Sequence, residues 1–114
     1  MTIERIAPIL TVSDIDAAIC EHTAVLGMRV VMNHGWIAFL ADDDGRQIGF
    51  MTADESASLN PDVSVFVDDV DAAHARAVAA GVEIVHPLSS ESWGVRRFFY
   101  RDRSGRVINV GTHL

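Results

Sequence analysis

The stretch Asp14-Ile15-Asp16-Ala17-Ala18 returns as Asp69-Val70-Asp71-Ala72-Ala73, and this doubling decides the fold. Working outward, Gly27 ahead of the apolar run Met28–Met32 is answered by Gly81 ahead of Val82–Val85. Asp42-Asp43-Asp44-Gly45-Arg46-Gln47-Ile48-Gly49-Phe50 is answered by Asp102-Arg103-Ser104-Gly105-Arg106-Val107-Ile108-Asn109-Val110. The offsets are 55, 54 and 60 residues, so the copies keep their order, with a small insertion late in the second. A repeat near half the chain length means two supersecondary units, each too small to bury a core alone. They are expected to pack as a pseudo-twofold pair around a concavity, and that concavity is the expected place for a functional site.

Each copy reads as βαβββ. Ile6–Val12 alternates and runs into Ser13-Asp14, a helix N-cap signal. Asp16–Leu26 carries apolar positions at helical spacing, with Gly27 as its C-cap. Met28–Asn33, Trp36–Ala41 and Gln47–Thr52 read as strands, the last two joined across Asp43-Asp44-Gly45. In the second copy Val63–Val67 is a strand, Asp71–Ala80 a helix and Val82–Val85 a strand. Pro87–Ser92 then reads as a loop, and Val95–Tyr100 pairs with Arg106–Gly111 across Ser104-Gly105. One domain, 1–114, is expected, with modules 1–52 and 62–114 and a linker at 53–61.

Alternation sorts residues onto faces. Val63, Val65 and Val67 should face the helices, with Pro8, Leu10, Val12, Ile48, Phe50, Ile108 and Val110. Ala7, Ile9, Thr11, Gln47, Gly49, Met51, Asp62, Ser64, Phe66, Val107, Asn109 and Gly111 should face the concavity. With turns of even residue count, Trp36, Ala38, Leu40, Arg96, Phe98 and Tyr100 join them. A bulge at Gly45 or Gly105 would reverse that last set.

Composition narrows the classes. A formal charge of -7 leaves no basic face for phosphate counterion release, so nucleic acid is not an expected partner, despite Arg96-Arg97 beside Phe98-Phe99-Tyr100. No apolar run reaches the roughly 20 residues of a membrane span, and Met1-Thr2-Ile3-Glu4-Arg5 does not open a signal peptide. The single cysteine, Cys20, cannot form an internal disulfide and fits the cytoplasm; its helical position suggests a small core residue. Mean hydropathy of +0.21 argues against disorder.

Candidate chemistry is sparse. His22, His34, His74, His86 and His113 show no ligand spacing, which favours surface or hydrogen-bonded roles. Ser89, Ser90 and Ser92 sit in a polar run without triad partners, so no catalytic residue is assigned. What remains is an aromatic, lightly polar set: Ile9, Trp36, Gln47, Met51, Asp62, Ser64, Phe66, Trp93, Arg96, Phe98 and Asn109. Trp93, after a polar run and before Gly94, reads either as a stacking lid or as a loop anchor. Arg96 or Arg97 facing inward would mark an anionic or carboxylate group on a ligand; facing outward they are solvated edges. The aromatics could equally fill the space between two sheets.

The words Leu10-Thr11-Val12-Ser13-Asp14-Ile15-Asp16, Val25-Leu26-Gly27-Met28, Phe66-Val67-Asp68-Asp69-Val70-Asp71 and Gly81-Val82-Glu83 have a family look. With Trp93–Asp102 and Ser104–Val110 they resemble the vicinal oxygen chelate superfamily of glyoxalases, extradiol dioxygenases and fosfomycin- and bleomycin-resistance proteins. The resemblance implies an α+β fold whose two βαβββ modules form a U-shaped mixed sheet, helices outside. Its metal enzymes place ligands at positions that fall on Ala7, Gly49, Asp62 and Asn109. Two of these carry no donor, so neither a metal nor another cofactor is expected. The chain therefore looks most like the metal-free, bleomycin-resistance-type branch, which implies a homodimer that sequesters a planar or amphipathic small molecule. A metal-dependent lyase, isomerase or dioxygenase is the alternative, and an interaction module with a filled cavity the second. Antibiotic resistance itself is only analogy.

Overall fold

Two helices and eight strands succeed one another in a computed structural model that describes residues 1–114. The order is β1 (Ile3–Thr11), α1 (Ile15–Leu26), β2 (Arg29–Asn33), β3 (Ile37–Ala41), β4 (Gln47–Met51), β5 (Val63–Val67), α2 (Val70–Ala80), β6 (Glu83–Glu91), β7 (Val95–Arg101) and β8 (Val107–His113). This is βαβββ twice, in an α+β architecture, as the doubled sequence requires. No helix is long and apolar enough to cross a membrane.

The chain divides into an N-terminal unit, Ala7–Asn60, and a C-terminal unit made of Met1–Ile6 with Pro61–Leu114. The first six residues join the second copy through hydrogen bonds. Thr2 N–H donates to Asp68 Oδ1 at 2.6 Å, Asp68 N–H donates to the Thr2 carbonyl at 3.0 Å, and the Arg5 guanidinium lies 4.3 Å from the Phe66 ring centre.

Within the N-terminal unit the strands lie in the order β2-β3-β4-β1; within the C-terminal unit the order is β5-β8-β7-β6. β1 runs parallel to β4 and β5 parallel to β8, with antiparallel pairing elsewhere. Both helices are capped alike. The Asp14 and Asp69 carboxylates accept from Ala17 N–H at 3.0 Å and Ala72 N–H at 3.1 Å. Gly27 and Gly81 close the helices in the left-handed conformation, at φ 67° and 74°. Each such aspartate cap contributes about 1 kcal/mol.

Under α1, Ile15 and Ala18 pack on Ala38, Leu40 and Phe50. Under α2, Val70 and Ala73 pack on Val67, Phe98 and Val110. Val65, Ile48 and Ile108 lie on the helix faces as alternation requires. Ala38, Leu40, Phe98 and Tyr100 are corrections: they face the helices, not the opposite side. The cause is turn parity. Ala41 pairs with Gln47 and Arg101 with Val107, so each hairpin closes over five residues, an odd number, which inverts the facing strand. Asp42 Oδ1 accepts from Asp44 and Arg46 N–H, and Asp102 Oδ1 from Arg106 N–H, each at 2.9 Å. Gly45 and Gly105 supply the positive φ that such a turn needs.

Three more expectations are corrected. Pro87–Ser92 is not a loop up to its end: β6 runs on to Glu91, with register shifts between Ile84 and His86 and between His86 and Ser89. β6 ends its unit's strand order, and a bulged edge strand tolerates a proline without an N–H. Cys20 is exposed, because the core stripe of α1 runs through Ile15, Ala18 and Ile19 and passes it by. Leu10, expected under a helix, is 40% exposed.

Candidate functional site

The C-terminal unit presents a polar, aromatic face on the side of its sheet away from α2. Arg97 on β7 is buried there, its Nε 3.3 Å from Glu91 Oε1 at the end of β6. The same carboxylate oxygen meets His86 Nε2 at 3.0 Å. The Arg97 guanidinium lies 5.0 Å from the Trp93 ring centre and 4.9 Å from that of Phe99, and the His86 ring tilts on Phe99 at 4.8 Å. One half-buried carboxylate thus holds a buried cation between two aromatic rings, the kind of pair whose rupture is costly.

Beside it on β8, Asn109 is 6% exposed. Its Nδ2 donates to Ser64 Oγ on β5 at 3.0 Å, while its Oδ1 is buried without a hydrogen-bond donor. A buried carbonyl oxygen left this way costs about 1–3 kcal/mol, and an incoming donor recovers it. Phe66 completes the face, with the His113 ring stacked on it at 4.4 Å. Burial and the nearby Arg5 charge hold His113 below the ordinary imidazole range, against an opposing pull from Glu4. Trp93 sits in the short turn between β6 and β7, with Gly94 at φ 86°, and is 48% exposed.

The corresponding face of the N-terminal unit is apolar. Ala7, Ile9, Phe39 and Met51 cluster there, with Trp36, Ile37 and Met32 packed against them. Trp36, expected on this side, packs into this cluster although its strand neighbours Ala38 and Leu40 turn the other way. Gln47 lies at the start of β4, and its Oε1 is a second buried acceptor without a donor.

The expected residues therefore separate into groups. Ser64, Phe66, Trp93 and Asn109 lie in the C-terminal unit with the Arg97 cluster; Ile9, Trp36, Gln47 and Met51 lie in the N-terminal unit. Asp62 is exposed and ties strands together, accepting from Val107 N–H at 2.9 Å. Arg96 and Phe98 are corrections. Phe98 is core beneath α2, and Arg96 reaches Asp71 on that helix at 3.0 Å, holding its carboxyl below the usual range. His86, Glu91 and Phe99 were not among the expected site residues, and Arg97 was only the alternative to Arg96. Their available signal was the odd turn over Asp102–Arg106, which exchanges Arg96 and Phe98 for Arg97 and Phe99 on this face.

The four positions carried over as metal ligands do not fit a divalent ion. Ala7 offers a methyl. Gly49 offers nothing, and a Cβ built on it would come within 2.7 Å of both Ile9 Cδ1 and Phe39 Cε1, so the site is already covered by hydrocarbon. Asp62 uses one carboxylate oxygen on the sheet, and Asn109 keeps only its Oδ1, so the four positions supply at most one carboxylate and one amide oxygen. The histidines do not replace these donors. His22 stacks on Phe50, His74 meets Phe98 edge-on, and His86 and His113 lie against Phe99 and Phe66.

A family model described as "Glyoxalase/Bleomycin resistance protein/Dioxygenase superfamily" matches residues 2–110. No curated protein matches the chain. Among solved structures it is similar to a glyoxalase/bleomycin resistance protein/dioxygenase superfamily member from Vibrio splendidus 12B01, at 21% identity and TM-score 0.74 over 97% of this chain and 99% of that one. It is also similar to methylmalonyl-CoA epimerase from Mycobacterium tuberculosis, at 23% and 0.70 over 98% and 87%. A third is the Streptomyces coelicolor methylmalonyl-CoA epimerase in complex with 2-nitronate-propionyl-CoA, at 20% and 0.72 over 98% and 99%. At these identities the likeness is one of fold.

Proposed function

Because the chain belongs to the Glyoxalase/Bleomycin resistance protein/Dioxygenase superfamily, we propose that it is a metal-free receptor that binds a small planar or amphipathic molecule without turning it over. The observation that carries this reading is the state of the four ligand positions. Two lack donors and lie among hydrocarbon, and the other two leave only one carboxylate, already bonded through Oδ2 to the sheet, and one amide oxygen. A metal-assisted lyase, isomerase or dioxygenase needs several convergent donors, and these residues do not supply them.

The receptor surface is the aromatic face of the C-terminal unit. Trp93 supplies stacking area, worth about 0.5–1.5 kcal/mol beyond burial for an aromatic ligand. Asn109 Oδ1 takes a hydrogen-bond donor from the ligand, which sets its orientation. Arg97 is held by Glu91, so it stiffens this face instead of capturing an anion. Family resemblance supports a homodimer, and the single exposed thiol of Cys20 supports a reducing, cytoplasmic setting.

Tryptophan quenching tests the proposal, using a panel of planar cationic drugs and cationic glycopeptides. Saturable quenching that Asn109→Leu weakens at least fivefold, with no thermal stabilisation by nickel, manganese, zinc or iron salts, is the expected result. Silence across the panel, or stoichiometric metal in protein purified without chelator, would overturn it. Light scattering on the same samples checks the dimer.

A further inference from the structure

We infer that the C-terminal unit carries a second ligand site, on the helix side of its sheet, that takes a single aliphatic chain ending in a carboxylate. The two copies differ where helix meets sheet. Under α1 the His22 ring stacks on Phe50 at 4.7 Å and fills the space. At the corresponding positions the second copy has Ala77 and Val110, and both line a cavity of about 610 Å³ beneath α2. A methyl where the first copy has an imidazole leaves part of that volume unfilled, and the rest is an open groove between α2 and the exposed Met1, Ile3 and Ile6. The size is that of a small-molecule site.

The lining chemistry selects the ligand. Ala73, Ala77 and Ala80 recur at helical spacing along α2, and Phe98 and Val110 form the opposite wall. Ile3 and Ile6, each 55% exposed, line it from the N-terminal segment. Arg76 is the one charged side chain of the lining; it is exposed and takes no part in an ion pair. An aliphatic trough with one guanidinium at its rim complements a hydrocarbon tail and an anionic head. The recess reaches down to Phe98, only 1% exposed, so a slender chain enters where the folded surface of a second copy does not. This site is independent of the aromatic face, and either can fail without the other.

The test is calorimetric titration of the full chain with dodecanoate below its micelle concentration, with dodecanol and dodecylammonium alongside. Saturable one-to-one uptake of dodecanoate, tighter than dodecanol and much tighter than dodecylammonium, is the expected result. Arg76→Gln should lower dodecanoate affinity about three- to fivefold and leave dodecanol unchanged. Ala77→Phe should abolish uptake of both; Ala80→Phe, on the exposed last turn of α2, repeats the block where Ala77→Phe does not fold. Absence of saturable uptake, uptake indifferent to both blocks, or a dimer that excludes dodecanoate until diluted would each overturn the inference.

Discussion

The two units share one βαβββ plan and carry opposite chemistry on the sheet face turned from the helix. Ile9 stands where the other copy has Ser64, Ile37 where it has Arg97, Gly49 where it has Asn109, and Ala7 where it has Asp62. One face is a hydrocarbon cluster closed over its own glycine. The other is a polar network of His86, Glu91 and Arg97 beside Asn109; each copy holds one orphaned amide oxygen, Gln47 Oε1 in the first and Asn109 Oδ1 in the second. On the helix side the order reverses: the N-terminal copy spends a histidine to fill its core, while the C-terminal copy leaves a cavity. Duplicated scaffolds can thus hold the backbone fixed and divide stability and recognition between copies.

The sharpest way to break the comparison is Phe39→Ala, which empties the hydrocarbon cluster and should cost about 4 kcal/mol in urea denaturation. Glu91→Leu attacks the polar counterpart. It leaves the buried Arg97 cation without this carboxylate, and a loss of about 3 kcal/mol is expected. Next comes Gly49→Ala, whose methyl would press on Ile9 and Phe39; about 2 kcal/mol of strain is expected. The penalty should shrink when Phe39→Leu is present, and a double-mutant cycle reads that coupling. His22→Ala should make the helix sides alike at a cost of about 1 kcal/mol, read as a lower melting temperature.

The smallest effect concerns pH. His113 binds its proton less readily folded than unfolded, so the unfolded chain holds more protons between the two pKa values. The stability tied to its neutral form is whole above about pH 6.5 and declines as pH falls through the lowered folded value. His113→Phe keeps the ring contact with Phe66 and should flatten that part of the stability profile.

Much of this was readable before any coordinates. The words Asp14-Ile-Asp-Ala-Ala and Asp69-Val-Asp-Ala-Ala place both N-caps, Gly27 and Gly81 place both helix ends, and alternation in Val63–Val67 places its face. The faces of β3 and β7 were not readable, because one residue more or less in a turn flips every side chain of the strand that follows. Nor was the end of β6. Pro87 and a polar run look like a loop unless the strand is known to be a bulged edge, and this concealed Glu91 and with it the Arg97 cluster. Of the expected site, residues on β1, β4, β5 and β8 keep the face assigned to them; of those that depended on turn parity, Arg96 and Phe98 do not, while Trp36, just ahead of β3, still packs on the expected side.

Four of the imidazoles lie against phenyl rings, in stacked, tilted or edge-on contact. Circulating π-electrons alter the local magnetic field, so the carbon-bound protons of His22, His74, His86 and His113 should resonate away from their free-solution frequencies, while those of His34 stay close. A one-dimensional proton spectrum of unlabelled material would therefore contain a resolved signal from each layer of the molecule, and titrating any compound into the tube would show which layer responds.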